Sequence, residues 1–434
     1  MSRPRPESIV GRSRWALVVL LLLQVLPFAG RPALIGGDEP HYCLVAMSLA
    51  LDGDLRLQED YLLVEREGSV RAGKKRAGKS LDRHLTEGSG VSHFSHPLGM
   101  PLLLAPLLWV QQRIFPGSAP DLLIGLVGLS VTFAGLCAGR DLLLRIVEDQ
   151  RQADYLAFVF YFTTPLWFTS RTFFTEPYIW ALTVVALWWM SRECWLTASF
   201  FLGLLFLIKE PTALIIAPLV LTVLLTRGVV RGLKIAVFPA VAVGLFVAKN
   251  IALYGEPFVT FQTFRVGDLA HGAWGVLVDP AHGLVVFAPV VFVLTVWRPV
   301  LQRSVSRTAW VVAVAWFLMT AAWIDWTGGS CFGPRLMVPM LPASAILIVE
   351  AWLRWRDRES FRKIFAVLAW VGFVIQWSAV VDPFGAFWSI RIDDLLTEDP
   401  LMTLVGAVIG WLLLRKLSGQ PRGAPKVSTR PASS

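Results

Sequence analysis

Two adjacent carboxylates, Asp38 and Glu39, stand in the stretch LIGGDEPHYCLVAMSLALDGD directly after the first apolar run, with His41 and Tyr42 close behind. An ionised carboxylate in such a place can act as a general base toward a hydroxyl group or hold a divalent cation. A plainer role is also available. Gly36 and Gly37 let the chain turn, Asp38 can cap, and Pro40 sits early enough in a helix to need no N–H, so a helix is expected over 40–51. A capping carboxylate beside the positive end of that helix stays ionised. Capping needs only one acid, however, and Glu39, His41 and Tyr42 are surplus to it.

The remaining polar candidates lie in a few short stretches. Arg335, after Gly333 and Pro334, should open a helix over 336–352, where its guanidinium and the free N–H groups of the first turn suit an anion; an arginine snorkelling to headgroups is the alternative. Lys209 stands at a tight turn beside Glu210, with which it can pair. Residues 254–283 carry Arg265 and two Asp/His pairs, Asp268 with His271 and Asp279 with His282, each at a spacing that shares one face of a helix. With Asp38 or Glu176, His271 and His282 supply oxygen and imidazole ligands for a divalent cation such as Mg or Mn; basic side chains that neutralise an anion are the alternative. His93 and His96 either line the site or bond backbone near Pro97, and His96 is the stronger candidate. Asp325, flanked by Trp323 and Trp326, suits an interfacial aromatic belt, while Arg140 and Lys249 are expected to snorkel from helix ends.

The elements that must position these residues belong in a membrane. The 434 residues are 55% hydrophobic and 16% charged, with mean hydropathy +0.59, and apolar runs near bilayer length recur from end to end. Such runs must satisfy their own backbone, so the fold class is an all-α polytopic membrane protein. The 19 Trp suit interfacial belts. The net charge of +9 resides largely in short connections between apolar runs, which makes it a topology signal and argues against nucleic acid as a partner. The four cysteines show no CxxC spacing, so neither zinc nor redox chemistry is indicated, and a Cys43–Cys331 bridge requires an oxidising compartment.

The start MSRPRPESIVGRSRW and the run after it have the parts of a signal peptide but are expected to stay as an uncleaved anchor. From residue 175 onward Arg192, then Arg227, Arg231 and Lys234, then Arg298, Arg303 and Arg307, then 354–363, then Arg415 and Lys416 fall on alternate connections, which become cytoplasmic. The intervening connections, near Lys209, at 254–282, at 325–335 and at 382–399, then face outward. Three apolar runs, 97–115, 122–138 and 155–174, lie between the DEPHY stretch and Glu176, but only an even number can cross. The run 97–115, with Pro97, Pro101 and Pro106, is therefore read as an embedded or interfacial helix of the outer loop. About twelve crossings result, with both termini inside. The expected organisation is a cytoplasmic N-terminus over 1–14, an integral membrane domain over 15–416 and a disordered cytoplasmic tail over 417–434. Within the membrane domain, 31–120 forms an outer loop with juxtamembrane helices and 254–283 a second outer loop. The helix at 40–51 is expected to be amphipathic and to lie on the membrane, since Cys43, Met47, Ala50 and Leu51 share a face. RAGKKRAGKS in the long loop is either a solvated strip or a contact for acidic headgroups.

These motifs carry a resemblance. GGDEPHY after the first span resembles the acidic motif in the first outer loop of the GT-C glycosyltransferases, the membrane class that includes protein O-mannosyltransferases and bacterial aminoarabinose (lipid A) transferases. SHPLG at Ser95 is similar to the His-Pro-Pro-Leu-Gly stretch of the mannosyltransferases, with Leu98 in place of the second proline. FTEPYIW around Glu176 occupies the place of a second acidic site, usually Asp-Pro, and LIKEPTALIIAP resembles the hairpin that follows it. DPAHGLVVFAP and WTGGSCFGPRLMVPMLP resemble stretches of bacterial relatives.

The resemblance implies a GT-C-like bundle and inverting transfer of a sugar from a polyprenyl-phosphate donor to a hydroxyl acceptor on a protein, lipid or cell-envelope glycan. It places the chemistry on the outer face of a bacterial inner membrane. By it Asp38 is the base with Glu39 beside it, Lys209, Arg335, His96 and Arg265 contact the donor phosphate, and His41, Tyr42 and Glu176 support them. A divalent cation, if used, draws on Asp38, Glu176, His271 and His282. A transporter or lipid flippase, or a lipid-binding relative without catalysis, are the alternatives. The former calls for ionisable residues at mid-bilayer and inverted repeats, whereas the candidate charges here gather at helix ends.

Overall fold

The computed structural model describes residues 9–25, 37–67, 69–70, 73–74, 85–88, 91–94, 96–118, 120–259, 264–297, 301, 303–329, 331–382 and 392–418. Expectations for Gly36, the side chain of His93, most of RAGKKRAGKS and the tail fall outside the described residues. Helix α1 (Ile9–Val25) precedes a segment with α2 (Glu39–Leu51), α3 (Gln58–Glu67), and two antiparallel hairpins, β1 (Ser69–Val70) with β2 (Gly73–Lys74) and β3 (Leu85–Gly88) with β4 (Val91–Phe94). These hairpins are small additions to an otherwise helical fold. The chain continues through α4 (Gly99–Ile114), α5 (Asp121–Val147), α6 (Gln150–Phe162), α7 (Leu166–Thr169), α8 (Thr175–Met190), α9 (Trp195–Ile208), α10 (Ala213–Arg227) and α11 (Val229–Tyr254). It closes with α12 (Leu269–Val278), α13 (Leu284–Phe287), α14 (Val293–Val296), α15 (Ser304–Ala322), α16 (Leu341–Trp355), α17 (Glu359–Val381), α18 (Ile392–Glu398) and α19 (Pro400–Leu417).

Seven helical segments among the described residues are long and apolar enough to cross a membrane: 122–147, 210–227, 229–254, 304–322, 335–355, 359–381 and 400–417. Other apolar helices are shorter, α1 with 17 residues, α4 and α8 with 16 each and α9 with 14. The chain is a multi-pass helical membrane protein. Its centre is α8, packed against α5 and α9, with α9 in turn against α11. Glycines set these approaches: a Cβ on Gly135 would fall 2.9 Å from the Ala181 Cα, and one on Gly203 2.9 Å from the Phe238 backbone.

The run 155–174, expected as a single crossing, is broken. Helix α6 ends at Phe162, and Thr163 and Thr164 turn their hydroxyls back to the carbonyls of Val159 and Phe160 at 2.7 and 2.9 Å. Pro165 follows, which has no N–H to give and disfavours helical geometry at the residue before it. The chain restarts as the single turn α7 and then enters α8. Its aromatic rings make the core: Phe158 stacks on Phe373 at 5.5 Å, and Trp167 meets Phe162 at 5.0 Å and Phe373 at 5.4 Å.

Helix α2 forms nearly where expected, with Pro40 in its first turn, Asp52 at its C-cap and Gly53 at φ 75° just beyond. Its setting differs from the expectation. Ten consecutive residues, Glu39 to Ser48, are buried, so α2 has no water-facing side and does not lie on the membrane as an amphipathic helix. Helices α3 and α4 pack on it, and the chain at Phe173 covers its start.

Candidate active site

Three elements meet where α8 begins and α9 and α15 end. Asp38 occupies the N-cap position of α2, yet its side chain makes no capping hydrogen bond. The carboxylate turns instead to Arg335, whose Nη2 lies 3.2 Å from Asp38 Oδ2. The same Nη2 donates to the Gly328 carbonyl at 2.8 Å, and the guanidinium lies over the Phe174 ring at 4.2 Å. Phe174 and Gly37, the latter at φ 54°, form the wall behind this pair, and a Cβ on Gly37 would stand 3.2 Å from the Phe174 ring. Arg335 opens a 3-10 turn, Arg335–Met340, before α16 starts at Leu341, so the expected α-helix over 336–352 begins one tight turn later. Pro339 and Pro342 account for this, since neither can donate the i→i−4 bond that an α-turn would need.

A second ion pair adjoins the first. Glu176, in the first turn of α8, accepts from Lys209 Nζ at 2.8 Å; the glutamate side chain is 2% exposed and the lysine 25%. Lys209 thus pairs across 33 residues and not with its neighbour Glu210. Glu176 and Asp38 both act electrostatically on Arg335. Glu176 Oε2 and Arg335 Nε are buried with no hydrogen-bond partner, so the cluster carries one acceptor and one donor not used by the protein itself.

A cavity of about 410 Å3 opens against the cluster. Lys209 and Glu210 line it with Tyr42, His96, Trp316 and Trp323. Burial, and then the charges of Asp38, Glu176 and Glu210, push the Tyr42 phenol well above its ordinary pKa, so it remains a neutral hydroxyl. Its ring is edge-on to His96 at 5.5 Å and to Phe173 at 6.2 Å. The floor is set by Trp316, whose Nε1 donates to the Leu336 carbonyl at 2.7 Å.

The other candidates sort themselves by geometry. Glu39 is fully buried, and its Oε1 accepts from the Phe173 backbone N–H, which fastens α2 to the turn before α8. His41 Nδ1 is 2.7 Å from the Tyr61 hydroxyl, on the side of α3. Arg265 is exposed; its backbone carbonyl accepts from Ile324 N at 3.0 Å, and it is the adjacent Phe264 that lines the cavity. The two Asp/His pairs are turn signatures. Asp268 Oδ1 accepts from the N–H of Ala270 and His271 at 2.8 and 3.1 Å, capping α12, and Asp279 Oδ1 accepts from Ala281 and His282 at 2.8 and 2.9 Å. An N-cap acid reaches the second and third residues after it, so the spacing read as one helix face is the spacing of a cap.

His271 and His282 flank the Trp326 ring at 5.9 and 6.1 Å. Among the described residues, no group of three or more His, Cys, Asp or Glu is placed to hold a metal ion. Asp38 and Glu176 already face Arg335 and Lys209, a donor set that is charge-balanced without a cation and does not fit one. Burial holds the His282 imidazole below its ordinary pKa. Cys43 and Cys331 are both buried and carry no disulfide, and burial raises the Cys331 thiol to about 11. Lys249, expected at a membrane surface, has its Nζ buried beside the Phe246 and Tyr254 rings, at 5.5 and 5.9 Å from their centroids, within electrostatic reach of Glu210. Arg140, expected to snorkel, is buried against Asp154.

No protein-family model matches the sequence, and no curated protein matches it significantly. Solved structures do. ArnT from Cupriavidus metallidurans bound to undecaprenyl phosphate matches with TM-score 0.52 and 15% identity over 96% of this chain and 78% of that one. The apo form of that ArnT matches with TM-score 0.52 and 16% identity, over 95% and 78%. At such identity the likeness is one of fold: this chain has the ArnT-like GT-C architecture.

Proposed function

We propose that the chain is a polyprenyl-phosphate-dependent glycosyltransferase that moves a sugar, with inversion, to a hydroxyl acceptor on a protein, lipid or envelope glycan. The reading carries with it about twelve crossings, both termini in the cytoplasm of a bacterial cell and the cavity opening outward. The observation that carries it is the paired cluster Asp38–Arg335 and Glu176–Lys209 beside a cavity walled by Tyr42, His96 and Trp316. The likeness in fold to an enzyme solved with undecaprenyl phosphate supports it.

In this reading the bond between the sugar anomeric carbon and the donor phosphate oxygen breaks as the acceptor oxygen attacks from the opposite face. The acceptor proton passes to Asp38, and polyprenyl phosphate leaves. Phosphate is already a good leaving group, so the work of the site is to hold it, meet its charge and take up the proton. Arg335 and Lys209 are the cations for it, with Arg335 Nε and the partly exposed ammonium of Lys209 as donors. Arg335 also couples the two ends of the reaction. While it faces Asp38 the carboxylate stays ionised, and as negative charge grows on the departing phosphate the guanidinium is drawn to that oxygen, which leaves Asp38 more basic when the proton arrives. Tyr42 and His96 shape the sugar pocket, while Glu39 and His41 act through position by holding α2.

Purified protein in lipid nanodiscs, given a panel of polyprenyl-phosphate sugars, tests the proposal. Transfer or hydrolysis of at least one donor, lost in Asp38→Asn with donor binding retained, is the expected result. Donor binding without turnover across the panel would favour the lipid-binding alternative.

A further inference from the structure

A second cavity lies at the other end of the same helices. Of about 500 Å3, it is bounded by the C-terminal halves of α5, α6, α8 and α10, by the starts of α9 and α15 and by α16 as far as Glu350. Helices α8, α9 and α15 each run from this cavity to the Asp38–Arg335 cluster, and the 14 steps of α8 from Glu176 to Met190 place the two about 21 Å apart along the axis. Its walls are apolar, with Leu136, Leu142, Phe160, Val184, Leu187 and Ile346 among them. Its charged lining consists of four arginines, Arg140, Arg145, Arg227 and Arg303, and one carboxylate, Glu350.

Arg140 is the unusual member. Only 7% exposed, it gives Nε to Asp154 at 2.5 Å, and its Nη2 is buried with no hydrogen-bond partner. A buried guanidinium N–H left unbonded is costly, and Arg140 also lines the cavity, so an acceptor brought by an occupant relieves that cost once the guanidinium turns to meet it. The other arginines are more exposed. Arg145 pairs with Asp141 at 3.1 Å, Arg227 lies 3.9 Å from Glu193 and Arg303 3.7 Å from Glu350, whose Oε1 also accepts from Ser306 at 2.9 Å.

We propose that this cavity binds an anionic diacyl phospholipid, the headgroup phosphate accepting from Arg140 and facing Arg227 and Arg303, the acyl chains filling the apolar walls. Charge complementarity selects the occupant: four arginines against one carboxylate line the cavity, Arg140 keeps an unbonded N–H, and most of the remaining lining is apolar. The arginines belong to connections that the charge pattern assigns to the cytoplasm, so the lipid comes from that leaflet. A smaller cavity of about 70 Å3 shares Leu187, Met190, Thr222, Pro342 and Ile346 with the first and reaches Pro339. An acyl chain that enters it lies under the turn Arg335–Met340, which carries the guanidinium of the candidate active site.

Native mass spectrometry of the full chain, titrated separately with dioleoyl phosphatidylglycerol, dioleoyl phosphatidylcholine and inorganic phosphate, tests this without reference to sugar transfer. The expected result is retention of phosphatidylglycerol at lower concentration than phosphatidylcholine, by roughly fivefold per rim arginine engaged. Phosphate alone should leave no adduct. Ala345→Trp, which fills the apolar wall, and the double change Arg227→Gln/Arg303→Gln, which leaves the Arg140–Asp154 pair in place, should each abolish the preference while eluting as the parent does. Arg140→Gln adds a third arm. Equal binding of the two lipids, or a preference that survives in the folded variants, would overturn the proposal, as would adducts with phosphate alone.

Discussion

Arg335 is held on three sides, by the Asp38 carboxylate, the Gly328 carbonyl and the Phe174 ring, and its Nε is buried without a hydrogen-bond partner. A point charge on a flexible stem cannot reproduce that fork, so Arg335→Lys should retain the fold and weaken donor binding, read as a raised KM for the polyprenyl-phosphate sugar. Lys209 shows the complementary case. Lys209→Met leaves Glu176 buried without its cation, and the expected loss is about 3 kcal/mol, at the low end for such pairs because the ammonium is partly exposed. Thermal unfolding in detergent should show the fall in Tm, and the double change Lys209→Met/Glu176→Gln should restore most of it without restoring transfer. His282 supplies a pH effect. Burial lowers its folded pKa, so as pH falls below the ordinary histidine value of about 6.5 the unfolded chain takes up the proton first and stability declines in that window. His282→Gln should flatten that part of a stability profile; an unchanged slope would remove the residue as its source.

At the scale of elements, what could be read from the sequence was whatever local chemistry dictates. Pro40, Asp52 and Gly53 mark both ends of α2, and the structure follows them within a residue. What covers a helix is not local: α2 takes α3, α4 and the Phe173 turn on its faces, and nothing in its own spacing tells that from a lipid surface on one side. Pro165 was a visible signal that 155–174 does not form one helix, and an Asp followed three residues later by His was a visible capping spacing, although both admit other readings. The Glu176–Lys209 pair was hidden because its partners are 33 residues apart on different helices. Two predictions belong here. A Cβ on Gly99 would fall 2.5 Å from the Leu207 carbonyl, so Gly99→Val should force α4 off the end of α9 and cost about 1–3 kcal/mol of stability, measured by thermal unfolding. A cysteine placed at Gln112, the only added thiol in a Cys-free background, should label with a membrane-impermeant reagent from outside the cell if α4 belongs to the outer loop; labelling only after permeabilisation would place it across the membrane.

At the scale of the whole molecule, α8, α9 and α15 join two cavities of different character. One is lined by Lys209, Glu210, a neutral tyrosine and tryptophans, the other by aliphatic side chains under an arginine rim. The fold is shared with an ArnT, one solved form of which holds undecaprenyl phosphate. The most direct measurement is a cryo-EM structure of the protein in nanodiscs with a polyprenyl phosphate. The expected result is phosphate density within hydrogen-bonding distance of Arg335 and Lys209, beside Asp38, with the prenyl chain leading away from the cavity at Tyr42 and His96. Phosphate density confined to the arginine-rimmed cavity, or to the lipid boundary with the Asp38–Arg335 pair undisturbed, would contradict it.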